Sequence, residues 1–155
     1  MRILWLTINS SYSHSSLALP LTHAAAAGVT GWEWRHLQAS LKDDIAALAV
    51  KAASMQPDLI AAPLYIFNRE AVLNLLARIR QLLPGCVICV GGPECLGEGA
   101  AETLAQAPWL NFALRGEGES IFPELLRKFP ETAGVPGVVT RENDGGTAPV
   151  YAEWA

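Results

Sequence analysis

Four short segments of this sequence carry the side chains and glycines that could bind or convert a ligand. They are NSSYSHSS at residues 9–16, LYIF at 64–67, GGPE at 91–94 and RGEGE at 115–119. Each segment follows a short apolar run of β type. The first offers five serine hydroxyls and one imidazole, the second an aromatic face, and the others glycine backbone and carboxylates. These residue types predict a ligand-binding site, provided that the fold brings the segments together.

The glycine-rich segments predict a close approach of backbone to ligand. Gly91 and Gly92 have no side chain that would hold a planar or extended group away, although a tight turn between a strand and a helix would explain them equally well. Glu117 and Glu119 fall in or before the first turn of a helix, where the helix dipole favours carboxylates. The same carboxylates would repel a phosphate, so this segment suits a ligand rich in neutral N–H donors.

The remaining sequence predicts the elements that must position these segments. Short β-type runs alternate with segments of helical period, which is typical of an α/β, doubly wound, five-stranded parallel sheet. A small antiparallel C-terminal hairpin of 138–140 and 150–154 is expected around the turn sequence ENDGG. Because the carboxyl ends of parallel strands meet at one edge, all four segments should line one crevice. The predicted strands are 2–8, 32–37, 59–64, 86–90 and 112–114, and the predicted helices are 17–27, 42–55, 69–83 with Asn68 as the cap, 98–106 and 120–128.

Length and composition exclude several classes of function. A chain of 155 residues with a net charge of −4 is expected to form one domain with no basic patch for nucleic acid. No stretch approaches the roughly 20 apolar residues that a membrane span needs. The odd number of cysteines, three, suits a reducing compartment. We therefore expect a soluble, cytoplasmic protein that binds neither nucleic acid nor membrane.

The motifs GGPE and RGEGE, in this order after the fourth and fifth predicted strands, make the chain resemble a known family. It is similar to the N-terminal cobalamin-binding domain of B12-dependent radical SAM proteins, in which a GGPE or GGPH element precedes a GEGE element. The opening stretch INSSYSHSSLAL, residues 8–19, resembles the start of a methyltransferase branch of that group. The resemblance covers nearly the whole chain, from Met1 to about Thr140.

The resemblance implies a flavodoxin-like (Rossmann-type) fold that holds cobalamin with its nucleotide tail extended into the crevice. Residues 1–140 would form this domain, and residues 141–155 a hairpin and the start of a linker. The partner would be a C-terminal radical SAM domain of the same protein, absent from this chain, which would bind S-adenosylmethionine and a 4Fe-4S cluster. This chain alone is therefore not expected to be catalytic.

The resemblance also implies roles for the four segments. Residues 10–16 and 91–94 would flank the nucleotide, 65–67 would line the corrin, and 115–119 would contact its peripheral amides. A bulky residue at Gly92 is expected to abolish cobalamin binding and to leave the fold intact. The candidate cofactor-binding residues are Asn9, Ser10, Ser11, Tyr12, Ser13, His14, Ser15, Ser16, Leu64, Tyr65, Ile66, Phe67, Gly91, Gly92, Pro93, Glu94, Arg115, Gly116, Glu117, Gly118 and Glu119.

His14 is the candidate metal ligand, for cobalt. Better-known cobalamin domains carry Asp-x-His-x-x-Gly at this point, whereas this sequence has Tyr12 and Leu17 in place of the aspartate and glycine. The histidine therefore lacks the carboxylate that would orient it and raise its basicity. A loop histidine that bonds the ligand, a neighbouring domain or water is the alternative.

The cysteines do not predict an iron–sulfur cluster in this chain. The cluster of the family needs the spacing C-x3-C-x2-C, and this chain has Cys86, Cys89 and Cys95. Cys86 and Cys89 lie three apart on one predicted strand, so their side chains should face opposite sides of the sheet. We expect buried, apolar cysteines.

Two other functions stay open from the sequence. A flavodoxin-like FMN-binding protein could use the serine-rich segment as a phosphate cradle, but it would leave RGEGE without a role. A ligand-free docking domain would use exposed aromatic residues, for which Trp109 and Trp154 are the candidates.

Overall fold

The computed structural model describes residues 1–10 and 18–143, which form a six-stranded sheet with helices on both faces. The strands are β1 (Arg2–Asn9), β2 (Glu33–Ser40), β3 (Leu59–Pro63), β4 (Val87–Gly91), β5 (Phe112–Leu114) and β6 (Val138–Val139). The helices are α1 (Ala18–Ala25), α2 (Ile45–Ser54), α3 (Arg69–Leu82), α4 (Gly99–Gln106) and α5 (Gly118–Lys128), with a 3-10 helix at Pro93–Cys95.

The sheet has the order β2-β1-β3-β4-β5-β6, and its first five strands are parallel. β1 lies between β2 and β3, so the strand order reverses beside β1. The carboxyl ends of the parallel strands form one edge, which we call the rim. The predicted α/β, doubly wound sheet is confirmed. In such sheets ligands bind at the rim, outside the carboxyl ends of the strands.

An antiparallel strand closes the C-terminal side of the sheet, as the sequence predicted. β6 pairs with β5 through Leu114 with Val138 and Ala113 with Val139. The hairpin was expected between 138–140 and 150–154, and that second arm lies outside the described residues. In the described part of the chain β6 therefore finds its partner in the main sheet.

Two apolar layers hold the helices against the sheet. One layer joins α2, α3 and α4 to one face, with Ala49, Leu75 and Leu104 fully or almost fully buried. The other joins α1 and α5 to the opposite face. Cys86 belongs to the first layer and Cys89 to the second, which confirms that the two thiols face opposite sides of the sheet.

The helix α3 illustrates why these segments are helical. Val72, Leu75, Leu76 and Ile79 recur at the 3.6-residue period and are all completely buried. Burial of each such side chain stabilises the fold by about 1.5–3 kcal/mol relative to an exposed position. The apolar face of α3, rather than its local propensity alone, therefore sets its position.

Asn68 at the start of α3 has a different role from the predicted one. Its side chain makes no capping bond to the helix. The Oδ1 atom instead accepts from the backbone N–H of Tyr65 at 2.8 Å, and Nδ2 donates to the carbonyl of Ile8 at 2.9 Å. Asn68 thus ties the segment after β3 to the end of β1, and the sequence could not distinguish this long-range bond from a local cap.

The described chain continues to pack on the domain beyond residue 140. The Arg141 guanidinium donates to the carbonyls of Leu104, Ala107 and Leu110, around the C-terminal end of α4. The Asn143 side chain donates to the carbonyl of Ala133 at 3.0 Å. The domain boundary at 140 stays a prediction. Within the ranges described, no helix has the length and apolar content to span a membrane.

Candidate functional site

A cavity of about 480 Å³ opens at the rim above β3, β4 and β5 and extends along the face covered by α1 and α5. We call it the slot. Its volume lies in the range typical of small-molecule and cofactor sites. Its lining residues are Trp5, Thr22, Ala61, Ala62, Pro63, Tyr65, Cys89, Val90, Gly91, Gly92, Pro93, Leu96, Leu114, Gly116, Glu117, Gly118, Glu119 and Phe122.

The slot has an apolar interior, and its mouth combines carboxylates with apolar side chains. Pro63 and Gly91 lie opposite each other at the ends of β3 and β4. Ala61 and Cys89 pair two residues earlier, which places them about 7 Å deeper at the usual rise of a strand. These small side chains alternate with residues that face the other layer, so they leave the space that the slot occupies.

Eight of the predicted site residues line the slot. They come from three of the four segments, after β3, β4 and β5, and are Tyr65, Gly91, Gly92, Pro93, Gly116, Glu117, Gly118 and Glu119. The rim of a parallel sheet brings these segments together although they are up to 54 residues apart in sequence, from 65 to 119. Their assignment to a cofactor stays a prediction.

The turn after β4 depends on Gly92 for its own packing. Gly92 has φ 87°, a conformation that residues with a side chain rarely adopt. A Cβ there would lie 2.8 Å from the carbonyl oxygen and 3.0 Å from the nitrogen of Leu64. The backbone of Leu64 also accepts from Glu94 N–H at 3.3 Å and donates to Gly91 at 2.8 Å. A bulky residue at Gly92 would therefore disturb the turn as well as the slot, contrary to the expectation that it would leave the fold intact.

The acidic segment forms one wall of the mouth. Gly116 has φ 130°, and Glu117 follows as the residue before the first turn of α5. The Glu117 carbonyl accepts from the N–H groups of Ser120 and Ile121, while its side chain makes no capping bond. The helix begins two residues earlier than predicted, and both carboxylates still fall in or before its first turn. Both residues line the slot at its mouth.

Arg115, Leu64 and Glu94 lie beside the slot without lining it. Arg115 is 9% exposed, and its backbone N–H donates to Gly137 at 2.7 Å, which joins β5 to the approach of β6. Leu64 is fully buried in the layer on the opposite face. The Glu94 carboxylate lies 3.8 Å from the Arg69 guanidinium.

Aromatic and aliphatic side chains after β3 extend the mouth onto the surface. Tyr65 lines the slot and stacks on Phe67 at 5.6 Å between ring centroids. Ile66 is 87% exposed, and Phe67 is 49% exposed. Leu96, from the turn after the 3-10 helix, lines the slot with 55% of its surface exposed. A ligand that filled the slot would meet an apolar surface at its entrance.

Of the serine-rich segment, the structure describes Asn9 and Ser10. Asn9, at the end of β1, is 9% exposed and accepts from the N–H of Leu41 at 3.0 Å. Ser10 is exposed, and neither residue lines the slot. Ser11, Tyr12, Ser13, His14, Ser15 and Ser16 lie outside the described residues, so cobalt ligation by His14 stays a prediction.

The other two histidines make structural contacts within the domain. His23 lies on α1 and stacks on Trp34 at 4.5 Å between ring centroids. His36 Nε2 lies 3.2 Å from Thr7 Oγ1, and burial lowers the pKa of this histidine. Neither side chain lines the slot.

The interior of the slot contains residues that sequence reasoning missed. Trp5 and Cys89 come from the strands, and Thr22 and Phe122 come from the helices α1 and α5. The available signal was the two-residue period of β3 and β4, which places Ala61, Pro63, Cys89 and Gly91 on one face as a run of small residues. The helix residues gave no comparable signal, because their approach depends on how α1 and α5 pack.

Two of the residues that line the slot carry a buried polar atom that has no hydrogen-bond partner among the described residues. The atoms are Nε1 of Trp5 and Oγ1 of Thr22, on side chains that are 5% and 1% exposed. Trp5 packs on Phe122 with 5.6 Å between ring centroids. An unsatisfied buried donor or acceptor costs about 1–3 kcal/mol.

The cysteines have the chemistry of buried apolar groups. Burial raises the pKa of Cys86 to about 11 and that of Cys95 to about 12, and it raises the pKa of Cys89 further. All three thiols are free and buried. In the described part of the chain no group of three metal-binding side chains could hold an ion.

Comparisons with solved structures place this fold beside those of cobalamin-dependent enzymes. The radical S-adenosylmethionine methyltransferase TsrM from Kitasatospora setae, with cobalamin and a [4Fe-4S] cluster bound, matches 97% of this chain with a TM-score of 0.71 and 18% identity. The cobalamin-dependent S-adenosylmethionine radical enzyme OxsB, with aqua-cobalamin bound, matches 96% with a TM-score of 0.75 and 14% identity. A cobalamin-binding protein from Desulfitobacterium hafniense matches 69% with a TM-score of 0.51 and 10% identity.

A curated sequence relative agrees with these structures. The 2-(S-pantetheinyl)-carbapenam-3-carboxylate methyltransferase of Streptantibioticus cattleyicolor is 29% identical over 94 residues, which are 58% of this chain. No protein-family model matches the chain. The chain spans 30% of TsrM, 22% of OxsB and 14% of the carbapenam methyltransferase. The resemblance stated from the motifs is thereby confirmed at the level of the fold.

Proposed function

We propose that this chain is the cobalamin-binding domain of a larger B12-dependent radical SAM methyltransferase. The observation that carries the proposal is the slot, which enters the domain from the rim and has a buried, mostly apolar interior. Such a shape fits the nucleotide tail of cobalamin when the tail extends away from the corrin ring. The likeness of the fold to TsrM and OxsB, both described with cobalamin bound, supports the same ligand.

The residues of the slot fit the chemistry of that tail. The base of the nucleotide is a flat aromatic group, and the interior offers the aromatic rings of Trp5 and Phe122. Gly91 and Gly92 allow the backbone to approach the ribose and phosphate at the mouth. These residues would hold the tail.

The mouth fits the corrin ring. The peripheral amides of the corrin carry neutral N–H groups. The carboxylates of Glu117 and Glu119 can accept hydrogen bonds from these groups, whereas they would repel an anion. Tyr65, Phe67 and Leu96 offer an apolar surface for the ring edge. Bound cobalamin would supply a cobalt centre able to carry a methyl group.

The chemistry of methyl transfer would need a second domain. The chain spans less than a third of TsrM and OxsB, at 30% and 22% of their lengths. We infer that a C-terminal radical SAM domain, which binds S-adenosylmethionine and a 4Fe-4S cluster, faces the rim. The exposed side chains of Ile66 and Phe67 beside the mouth give that partner an apolar surface to cover. The free cysteines fit a cytoplasmic protein.

The test is a titration of the 155-residue chain with hydroxocobalamin, followed by absorption spectroscopy and by isothermal calorimetry. We expect saturable binding of one equivalent. Cobinamide, which has the corrin ring but no nucleotide tail, should bind more weakly by about tenfold or more, equivalent to about 1.4 kcal/mol. The difference between the two ligands measures the contribution of the slot.

FMN is the control ligand, because it tests the rival flavodoxin-like function. Its phosphate would approach the carboxylates of Glu117 and Glu119, so we expect no binding. Saturable FMN binding without cobalamin binding would overturn the proposal in favour of a flavoprotein. Binding of neither ligand would overturn it in favour of a docking domain.

A further inference from the structure

We propose that Arg69 is a positioning residue for the proposed cobalamin site. Its guanidinium holds the turn between β4 and α4, residues 92–98, in the place where this turn forms part of the slot wall. The inference rests on the proposed function, but Arg69 itself lies outside the slot. It also gives Glu94 a role other than contact with the cofactor.

The first support is that Arg69 connects three elements. It is the first residue of α3, and its guanidinium donates to Oε1 of Gln106, the last residue of α4, at 2.9 Å. A second nitrogen of the same group lies 3.8 Å from Oε1 of Glu94 in the turn. The side chains of Arg69 and Glu94 are 23% and 27% exposed, so solvent screens this ion pair only in part.

The second support is that the position of Glu94 determines the slot wall. Gly92 and Pro93 before it and Leu96 after it all line the slot, whereas Glu94 does not. The backbone N–H of Glu94 donates to the carbonyl of Leu64 at 3.3 Å, which is a long hydrogen bond. The side-chain contact with Arg69 therefore supplements a weak backbone bond, and a shift of Glu94 would move the residues that form the wall.

The third support is that the local preferences of the helix do not explain Arg69. At the first position of a helix the dipole favours a carboxylate and disfavours a cation. The contacts with Glu94 and Gln106 offset this local cost. A guanidinium suits the role because it is planar and presents several N–H donors, so that one group can bond two partners at once.

The experiment reverses the charge that faces Glu94. Arg69→Glu places two carboxylates opposite each other, while the helix dipole favours glutamate at this position and should not weaken α3. Apparent affinity falls with the fraction of molecules whose turn is in place, so we expect the dissociation constant of hydroxocobalamin to rise by about fivefold to tenfold. Calorimetry on the 155-residue chain measures this change.

A second charge reversal tests whether the ion pair carries the effect. Arg69→Glu combined with Glu94→Arg restores opposite charges, and the Gln106 amide can turn to donate to the new carboxylate. We expect this double variant to bind within about twofold of the unmodified chain. If Glu94 contacted the corrinoid directly, as its place in the GGPE motif predicts, the double variant would bind no better than Arg69→Glu.

Two further variants guard against effects of net charge and of folding. Arg78→Glu makes the same change of charge at an exposed position of α3 and should leave the dissociation constant unchanged. Arg69→Lys keeps the charge but lacks the planar group that bonds two partners, so it should weaken binding less than Arg69→Glu and stays informative if that variant is unstable. Thermal unfolding of each variant reports its stability.

Hydrogen exchange of the ligand-free chain measures the turn without the cofactor. The amide of Glu94 bonds to Leu64, and the amide of Cys95 bonds to Gly92. Both amides should exchange faster in Arg69→Glu and return to the original rate in the double variant. The amide of Leu76 within α3 should keep its rate in every variant.

The outcomes separate this inference from the proposed function. Weaker binding and faster exchange in Arg69→Glu, both reversed in the double variant, would establish the role of Arg69. Unchanged affinity in Arg69→Glu, an equal loss in Arg78→Glu, or a double variant that binds no better than the single one would overturn that role while the cobalamin site stands. Failure of the unmodified chain to bind hydroxocobalamin would overturn the proposed function, and the inference with it.

Discussion

At the scale of single residues, Gly91 at the end of β4 and Gly92 directly after it have different roles. Gly92 is required by the fold, because its φ is 87° and a Cβ would meet the backbone of Leu64. At Gly91 neither the backbone conformation nor the space requires glycine. A Cβ there would lie 3.6 Å from Leu114 Cβ, which is an ordinary contact. Gly91 also lines the slot, so it is the position at which cavity size can be changed with the least effect on the turn.

We expect Gly91→Val to weaken hydroxocobalamin binding by about tenfold or more, since the added methyl groups occupy the slot where the tail would enter. Calorimetric titration measures the change. Gly85→Val is the matched control, because Gly85 lies between α3 and β4 at the opposite edge of the sheet with no atom within 4 Å of a built Cβ. Equal affinities of the two valine variants, both folded, would contradict the assignment of the slot.

At the scale of elements, the sequence predicted the strands and helices well and the contacts between them poorly. β5 matches its predicted bounds, and α3 and α4 begin and end within one residue of theirs. These elements have strong apolar periods or are bounded by glycine and proline. The approach of α1 to α5, which brings Thr22 beside Gly118, has no local signal because it depends on the packing of the second apolar layer.

For the candidate site too, the sequence predicted the local segments but not the contacts between elements. The motifs located the mouth, since turns after parallel strands converge wherever the sheet places them. The interior was missed because Trp5 and Phe122 read as ordinary core residues, and only the small size of Ala61 and Cys89 on the adjoining strands leaves a cavity beside them. Sequence patterns report which face a side chain occupies, whereas a cavity depends on the volumes of residues from several elements.

Asn68 connects the segment after β3 to the end of β1, so its removal should weaken the contact between these two elements. Asn68→Ala removes the bonds to Ile8 and Tyr65 and leaves both backbone groups without this partner. We expect the free energy of unfolding to fall by about 2 kcal/mol, measured by urea denaturation. Asn74→Ala, at an exposed position of the same helix, should change it by less than about 0.5 kcal/mol. A similar loss in both variants would show that Asn68 has no special role.

At the scale of the whole molecule, the slot and the C-terminal end of the described chain lie at opposite edges of the sheet. β6 runs antiparallel to β5, so it leads away from the rim, and Arg141 then bonds to carbonyls that precede β5. A radical SAM domain that follows in sequence and faces the slot would need a connecting segment that returns past the sheet. The described chain therefore leads away from the mouth, and cofactor binding can be measured separately from domain docking.

This separation predicts that cobalamin stabilises the domain without its partner. At about a hundredfold excess over the dissociation constant, a ligand that binds only the folded state adds about 2.7 kcal/mol. For a domain of this size the melting temperature should rise by about 5–10 °C, as measured by far-ultraviolet circular dichroism. Cobinamide should give a smaller rise at the same concentration, and Gly91→Val should show little rise with hydroxocobalamin. An equal rise in Gly91→Val and in the unmodified chain would mean that the corrinoid binds somewhere other than the slot.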